Sequence, residues 1–408
     1  MKLKSHGRVL ASICGLLATI LILAACKSPA PSAAGPYSER TAAEGQQATV
    51  VSESTTVELA VTGEPLGDGV FVGKGRTFDN LTIFPILAKT QVDPGPLMSL
   101  DEALEKGVAE VREIGAQAGG ESPPVQVPQV ANQAPQQPQI VQQASPIAGG
   151  SAQVGTLVIE NRGHTPIYVL AGTIVKGGKQ DRQIGQDFII GAAQTTPVDA
   201  FCVEHGRWTA ERDGRQTGGR FTTVKQLANA EVRMAGQYEK NQGEVWSKVS
   251  KVNEAHKKVS ASDSLLASAD DAQIKAERDA LTHQVRGYLG EVETRGAVVG
   301  IAYAVDGKIK GVRWFAHHRV FSMFNEAIVN SSVVDALTAK AAGGAASAPP
   351  SASDVVAFVT SAEQGEQKRV EDTAAENVNS YVEAPDAYGS KTRMKSSPKP
   401  VSQDYMAK

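Results

Sequence analysis

The sequence has little cysteine, few aromatics and no large excess of charge, and each shortage narrows what the chain can be. Its three cysteines are Cys14, Cys26 and Cys202. The first two fall in or beside an N-terminal export segment, so the folded part keeps Cys202 alone. That excludes an intramolecular disulfide and a cysteine-based zinc site. Aromatics make up 5% and hydrophobic residues 41% of the 408 residues, enough for one core with solvated flanks. The 41 basic residues meet 44 acidic ones, which argues against a nucleic-acid-binding surface. No metal-ligand spacing occurs; His317 and His318 are adjacent and point apart on a helix. Neither a metal nor a cofactor is expected.

One long apolar run is present, at the N-terminus. Lys2, Lys4 and Arg8 form a basic region, and Val9 to Leu23 an apolar one too short and too abruptly ended for a spanning helix. It closes on Leu23-Ala24-Ala25-Cys26, which resembles a bacterial lipobox. The expectation is a signal peptide over residues 1–25 and a diacylglyceryl group on the Cys26 sulfur, where several acyl chains give stable anchoring. Lys27 follows instead of aspartate, which points to the cell envelope, on the periplasmic face of an outer membrane where the cell has one. Removing residues 1–25 moves the formal charge from -3 to -6, because three basic residues leave with no acid.

Residues 26–52 are rich in Ala, Ser, Pro, Gly and Gln and read as a flexible tether. Residues 53–384 read as a single α+β domain with an antiparallel sheet core and helices in its second half. A Gln/Pro-rich stretch, residues 115–151, interrupts it and reads as a disordered insertion, since it cannot bury enough apolar surface to offset its ordering entropy. The tail 385–408 also reads as disordered.

Within the domain, Thr55–Val61 and Phe78–Ala88 read as strands, the second confined by Pro85 to an edge or a bulge. Ser99-Leu100-Asp101-Glu102 is a capping box for a short helix ending at Gly107. Val108–Ile114 reads as a strand, and Asn161–His164 suits a hairpin turn between Thr156–Glu160 and Pro166–Val175. Phe188–Ile190 and Val198–Glu204 follow as strands. Beyond Gly218-Gly219 a helical period places Val224, Leu227, Met234 and Tyr238 on one stripe, and Val245, Val249, Val252 and Val259 on another, with Gly243 a break between them. A helix over about 271–289, an Asp306-Gly307 hairpin joining Ala297–Val305 to Lys308–Phe315, a helix over about 319–340 and a last one over 354–362 complete the reading.

The stretch from Gly172 to Trp208 gathers glycines, basic side chains and Cys202 between short apolar runs. Gly177 and Gly178 can take positive φ and turn backbone N–H groups toward an anion. Lys176, Lys179 and Arg182 lie close by, and Arg182 can grip a phosphate or carboxylate bidentately. Thr173 and Gln180 stand where a phosphate-binding Walker loop needs glycine and a hydroxyl, so the pattern is not that loop. On spacing alone, a solvated basic turn fits better than an anion site. On the later strand Cys202 suits core filling better than nucleophilic work, His205 suits a structural role, and Trp208 beside Arg207 can stack on a planar ligand or close the core.

Gly177-Gly178-Lys179-Gln180-Asp181-Arg182, followed by Cys202-Val203-Glu204-His205-Gly206-Arg207-Trp208, resembles the signature of the ARG (ADP-ribosylglycohydrolase) and rhodanese-phosphatase-superfamily-associated protein family. The likeness extends to Asn80–Pro85, the helix of Leu100 to Gly107 and the hairpin and helix of Val299 to Leu337. The resemblance implies a domain without an established reaction, associated with ADP-ribose-handling and phosphatase-like enzymes. It also ties the two motifs together, so Lys179, Arg182, Glu204 and Arg207 are expected to line one concavity. Gly178 would form its turn and Gln180 and Trp208 its wall. Glu204 is expected to pair with one arginine and leave positive charge for a small nucleotide-like or ADP-ribose-like anion. Three classes stay open: a binding module, a hydrolase of phosphorylated or ADP-ribose-like compounds with Glu204 as acid/base, and a structural envelope lipoprotein. Oligomeric state is not legible.

Overall fold

Two runs in which every side chain is buried set the architecture, Leu81–Ala88 and Val298–Val305. A strand buried on both faces needs a layer on each side, and the rest of the chain supplies those layers. The computed structural model describes residues 61–114 and 155–408, except Val259 and Ala346. The expected signal peptide with Cys26, the expected tether and the insertion expected at 115–151 lie outside the described residues, as does the strand expected at Thr55–Val61 apart from Val61 itself.

The chain begins with β1 (Glu64–Gly67), β2 (Val70–Val72), β3 (Arg76–Phe78), β4 (Leu81–Ala88), β5 (Met98–Ser99), α1 (Leu100–Glu105) and β6 (Ala109–Glu113). Next come β7 (Thr156–Asn161), β8 (Ile167–Val169), β9 (Thr173–Gly177), β10 (Arg182–Ile184), β11 (Phe188–Ile190) and β12 (Thr195–Cys202). Then β13 (Glu211–Arg212), β14 (Arg215–Gln216) and β15 (Arg220–Leu227) lead into α2 (Ala230–Gln237), α3 (Gln242–Ala255), α4 (Leu266–Ala269) and α5 (Ala272–Val292). The hairpin β16 (Val298–Val305) and β17 (Lys308–Phe315) precedes α6 (His318–Ala341) and α7 (Ala352–Glu363). Four strands close the chain: β18 (Glu366–Asp372), β19 (Asn377–Glu383), β20 (Ala387–Met394) and β21 (Pro400–Ala407).

These elements make an α+β fold. A ten-stranded antiparallel sheet runs β1-β2-β4-β16-β17-β21-β20-β19-β18, with β3 also beside β4. A six-stranded closed barrel runs β10-β12-β7-β6-β15-β9. The barrel is filled by Val111, Leu157, Ile159, Val175, Ile184, Val198, Ala200 and Phe221, and closure leaves it no edge. Helix α6 buries Phe321, Phe324, Ile328, Val329 and Val333 with Val298, Ile301 and Tyr303 of β16. Each such side chain contributes about 1.5–3 kcal/mol by leaving water. Val355, Val359 and Ala362 of α7 pack with Trp314 and Tyr405. The described residues form one compact unit. Among the described residues no helix is long and apolar enough to cross a membrane.

The Asp306-Gly307 turn forms as its chemistry predicts, with φ of 49° and 75° and Val305 paired to Lys308. Ser99 caps α1 by accepting from Glu102 N at 3.2 Å. Several expectations change. β4 is not an edge, being paired with β16 on one side and with β2 and β3 on the other, but the register slips beside Pro85, between Val298 and Gly300 of β16 opposite Leu87 and Ile86. Proline is tolerated there because β2 and β3 are interrupted at Gly73–Gly75, opposite Pro85, whose carbonyl accepts from Gly73 N at 2.8 Å. Asn161–His164 does not close a hairpin, since β7 joins the barrel and β8 pairs with β11 and β5. The Asn161 amide donates to Thr165 O and Gly191 O at 2.9 Å, fixing the exit to another sheet.

Residues 220–227 form strand β15, not the start of a helix, so Val224 and Leu227 leave the stripe assigned to Met234 and Tyr238. Gly243 lies in the first turn of α3, capped by Asn241. The tail is ordered. Within 385–408, β20 and β21 pair with each other and with β17 inside the large sheet. Their inward positions include Ser390, Thr392, Ser402 and Asp404, polar residues whose hydrogen bonds replace apolar contact.

Candidate functional site

The two glycine- and arginine-bearing motifs do meet. Strand β10 pairs with β12 so that Arg182 stands opposite Cys202, and Asp181 N donates to Glu204 Oε2 at 2.9 Å. Gly177 (φ +142°) and Gly178 (φ +48°) take the expected positive φ. Their reason is close approach: a Cβ on Gly177 would lie 2.3 Å from Arg220 O, and one on Gly178 2.2 Å from the Phe221 ring. The turn also aims N–H groups at carboxylates, but at the protein's own. Gly177 N donates to Asp181 Oδ1 at 3.0 Å and Lys179 N to Glu113 Oε1 at 2.8 Å.

The basic side chains are likewise answered from within. Arg207 Nε lies 3.0 Å from both Glu204 oxygens. Its Nη1 donates to Gly178 O at 2.9 Å and Thr209 O at 2.8 Å, and its Nη2 to Gly177 O at 2.9 Å. Arg212, on the two-stranded flap β13–β14, reaches Asp181 Oδ2 at 3.0 Å. Arg182 Nη1 donates to Gln180 O at 2.7 Å, and its Nη2 is 3.9 Å from Glu113. Three guanidiniums thus face three carboxylates. Burial, then repulsion from Glu204, raises the Asp181 carboxyl above its ordinary range against the opposing pull of Arg212 and Arg207.

The expected concavity with surplus positive charge is therefore corrected. Gln180, Arg182 and Glu204 are 0%, 3% and 0% exposed, so they sit inside the fold. Among the described residues Lys179 alone of the predicted cations has no carboxylate against its ammonium. Trp208 is 41% exposed and His205 packs on Trp246, their ring centroids 4.5 Å apart. Cys202 is buried, which pushes its thiol up, away from thiolate chemistry.

Open space lies elsewhere. A cleft of about 700 Å³ runs between α5 and α6, over β15 and the start of β16. Leu266, Leu289, Val298 and Phe321 supply its apolar lining; Lys225, Arg286, Asn325 and Glu326 stand where it meets a second hollow of about 200 Å³, which Asp101, Glu102 and Glu105 also line. The cations there are loosely held. Lys225 is 3.9 Å from Glu105 and Arg286 3.7 Å from Glu326, both more than 40% exposed. Exposed pairs at such distances contribute little, and their donors stay available. His283 is exposed on the same wall.

Gly287 and Gly290 also line the cleft, in the last two turns of α5. A Cβ on either would meet nothing within 4 Å, so neither packing nor positive φ requires glycine. Glycine within a helix costs about 0.5–1 kcal/mol relative to alanine, and here it keeps the wall bare. Among the described residues no group of three or more His, Cys, Asp or Glu is arranged to hold a metal ion.

The model of the ARG and Rhodanese-Phosphatase-superfamily-associated Protein domain matches residues 69–398. The chain belongs to this family. No curated protein and no solved structure matches it. The ARPP-1 domain thus contains the barrel, the ionic cluster, both walls of the cleft and the polar strand β20, reaching well beyond the span 78–340 on which the sequence likeness rests. The cleft residues of the ARPP-1 domain escaped the sequence because they come from β15, α5 and α6, far apart along the chain. Two glycines in a helix were the one local signal.

Proposed function

We propose that this ARPP-1 protein is a lipid-anchored binding module of the cell envelope, and that the cleft between α5 and α6 holds a small anionic molecule. The observation that carries the reading is the pair Lys225 and Arg286. They stand at the junction of the two hollows with donors not committed to any close carboxylate. A volume of about 700 Å³ falls within the range of ordinary small-molecule sites and suits a nucleotide or sugar phosphate. Apolar lining with a few convergent polar groups supports the same reading. The buried Asp181–Glu204–Arg207–Arg212 cluster then serves as a latch that holds the flap β13–β14 against the barrel. Anchoring rests on the Leu-Ala-Ala-Cys26 run.

Thermal-shift screening of the protein against nucleotides and sugar phosphates tests the binding half. A ligand that raises the melting temperature should bind Lys225→Ala and Arg286→Ala variants more weakly by about 1.5–3 kcal/mol each, as expected for charged hydrogen bonds. Equal binding by both variants would remove the cleft from consideration.

A further inference from the structure

Where the cleft reaches the start of α6, a carboxylate and a histidine of its wall stand in series with a serine that lines the smaller hollow. His318 Nε2 is 3.1 Å from Ser322 Oγ. On the other side of the ring, Nδ1 is 2.7 Å from Val298 O and 3.3 Å from Glu293 Oε2. From this geometry we infer that Ser322, His318 and Glu293 form a nucleophile–base–carboxylate relay that hydrolyses carboxylic esters bearing a negative charge. The anionic part of that substrate class rests on the cleft reading above.

The hydrogen bonds define the tautomer. A carbonyl oxygen only accepts, so the short contact to Val298 O puts the hydrogen on Nδ1. Nε2 is then left with its lone pair directed at the Ser322 hydroxyl, as a general base requires. Glu293 is itself held in place. Its Oε1 accepts from Gly296 N at 2.6 Å and Ala297 N at 2.8 Å, and its Oε2 from Val298 N at 3.1 Å. The imidazole is pinned at its root as well, because His318 N donates to Gln91 Oε1 at 2.7 Å. Ser322 is exposed, and its hydroxyl also lies 3.0 Å from His318 O, the carbonyl one turn back. A helical serine often bonds that carbonyl. Rotation about one torsion carries the hydrogen from there to Nε2.

The chemistry balances without a cofactor. Ser322 Oγ attacks the ester carbonyl carbon while its proton passes to His318 Nε2. Glu293 stabilises the resulting imidazolium from the Nδ1 side. Asn325 lines the hollow that Ser322 also lines, and its side-chain amide is the N–H donor for the oxyanion. The carbon–oxygen bond to the leaving alcohol breaks and the alkoxide takes the proton from Nε2. Water, deprotonated by the same nitrogen, then cleaves the acyl-serine, giving the carboxylic acid and restoring Ser322. Ser322 and His318 are the catalytic residues of this scheme, and Glu293 is a positioning residue.

The test is an uncharged alkyl fluorophosphonate applied to the full chain, with the modified peptide located by mass spectrometry. Loss of fluoride should leave the probe on Ser322. Ser322→Ala should not be labelled, and His318→Gln should be labelled about 100-fold more slowly, as expected for loss of a general base. Ser322 is exposed, so its alanine variant keeps the fold, and circular dichroism checks the others. With a nitrophenyl ester of succinic acid, Glu293→Gln should lower kcat with KM unchanged, whereas Lys225→Ala with Arg286→Ala should raise KM. No labelling of the wild type, or equal labelling of Ser322→Ala, overturns the relay while leaving ligand binding in the cleft standing. Labelling at Ser322 with an unchanged KM in the double variant overturns the anionic substrate instead.

Discussion

Arg207 closes on Glu204, three residues before it, with its Nε 3.0 Å from each carboxylate oxygen, and the same guanidinium ties down the carbonyls of Gly177 and Gly178. Glu204 is fully buried, so removing its partner strands a charge away from water. Arg207→Ala is predicted to lower unfolding free energy by about 3–5 kcal/mol, the usual cost of breaking a buried pair. Trp208→Ala, at an exposed neighbour, should stay within about 0.5 kcal/mol of the parent, as most surface changes do. Denaturant unfolding measures both. A loss under about 1 kcal/mol for Arg207→Ala would mean the cluster latches nothing.

The sequence makes the long apolar strands, the Asp-Gly hairpin and the helices α5 and α6 legible because burial and turn chemistry are local there. It also places the two motifs together. It does not reveal that their charges cancel, since Arg212 and Glu113 arrive from the flap and from β6. The tail reads as disordered for a related reason. Thr392 and Ser402 donate to Asp187 Oδ2 at 3.1 and 3.0 Å, and Arg313 to Asp404 Oδ2 at 2.9 Å. Inward positions filled by such residues carry no hydrophobic period.

Asp335 gives stability a pH dependence. Its carboxyl accepts from Tyr303 Oη at 2.7 Å and Ala230 N at 3.1 Å, and burial pushes it from 3.8 up to about 6. Because the folded value lies above the unfolded one, the folded chain binds the proton more tightly. The contribution is fully present below pH 3.8 and is lost as pH rises through about 6. The loss is on the order of 2–3 kcal/mol. Asp335→Asn should flatten this part of the stability curve between pH 4 and 7, measured by urea unfolding against the parent. A parent-minus-variant difference independent of pH would contradict it.

The two cleft glycines should respond to substitution in opposite ways by size. Gly287→Ala and Gly290→Ala meet open space and should each stabilise the protein by about 0.5–1 kcal/mol, the helix-propensity gain. Gly287→Leu should keep the fold and block the cleft. Calorimetric melting and ligand titration separate the effects. A destabilised alanine variant would show that the bare wall serves packing after all.

Under the proposed anchoring, Cys26→Ser is predicted to abolish incorporation of labelled fatty acid and to release the protein from the membrane fraction, since the Cys26 thiol of the lipobox-like run would be the acylation site. Labelling that persists in this variant would overturn the anchor.

Hydrogen–deuterium exchange of the full chain, with and without the tightest nucleotide or sugar phosphate from the thermal-shift panel, tests the location of the ligand site most directly. Protection is predicted in residues 282–290 of α5 and 321–326 of α6, with the flap around Arg212 unchanged. Protection confined to residues 177–182 and 204–212, with α5 and α6 exchanging as before, would return the site to the ionic cluster and contradict the account.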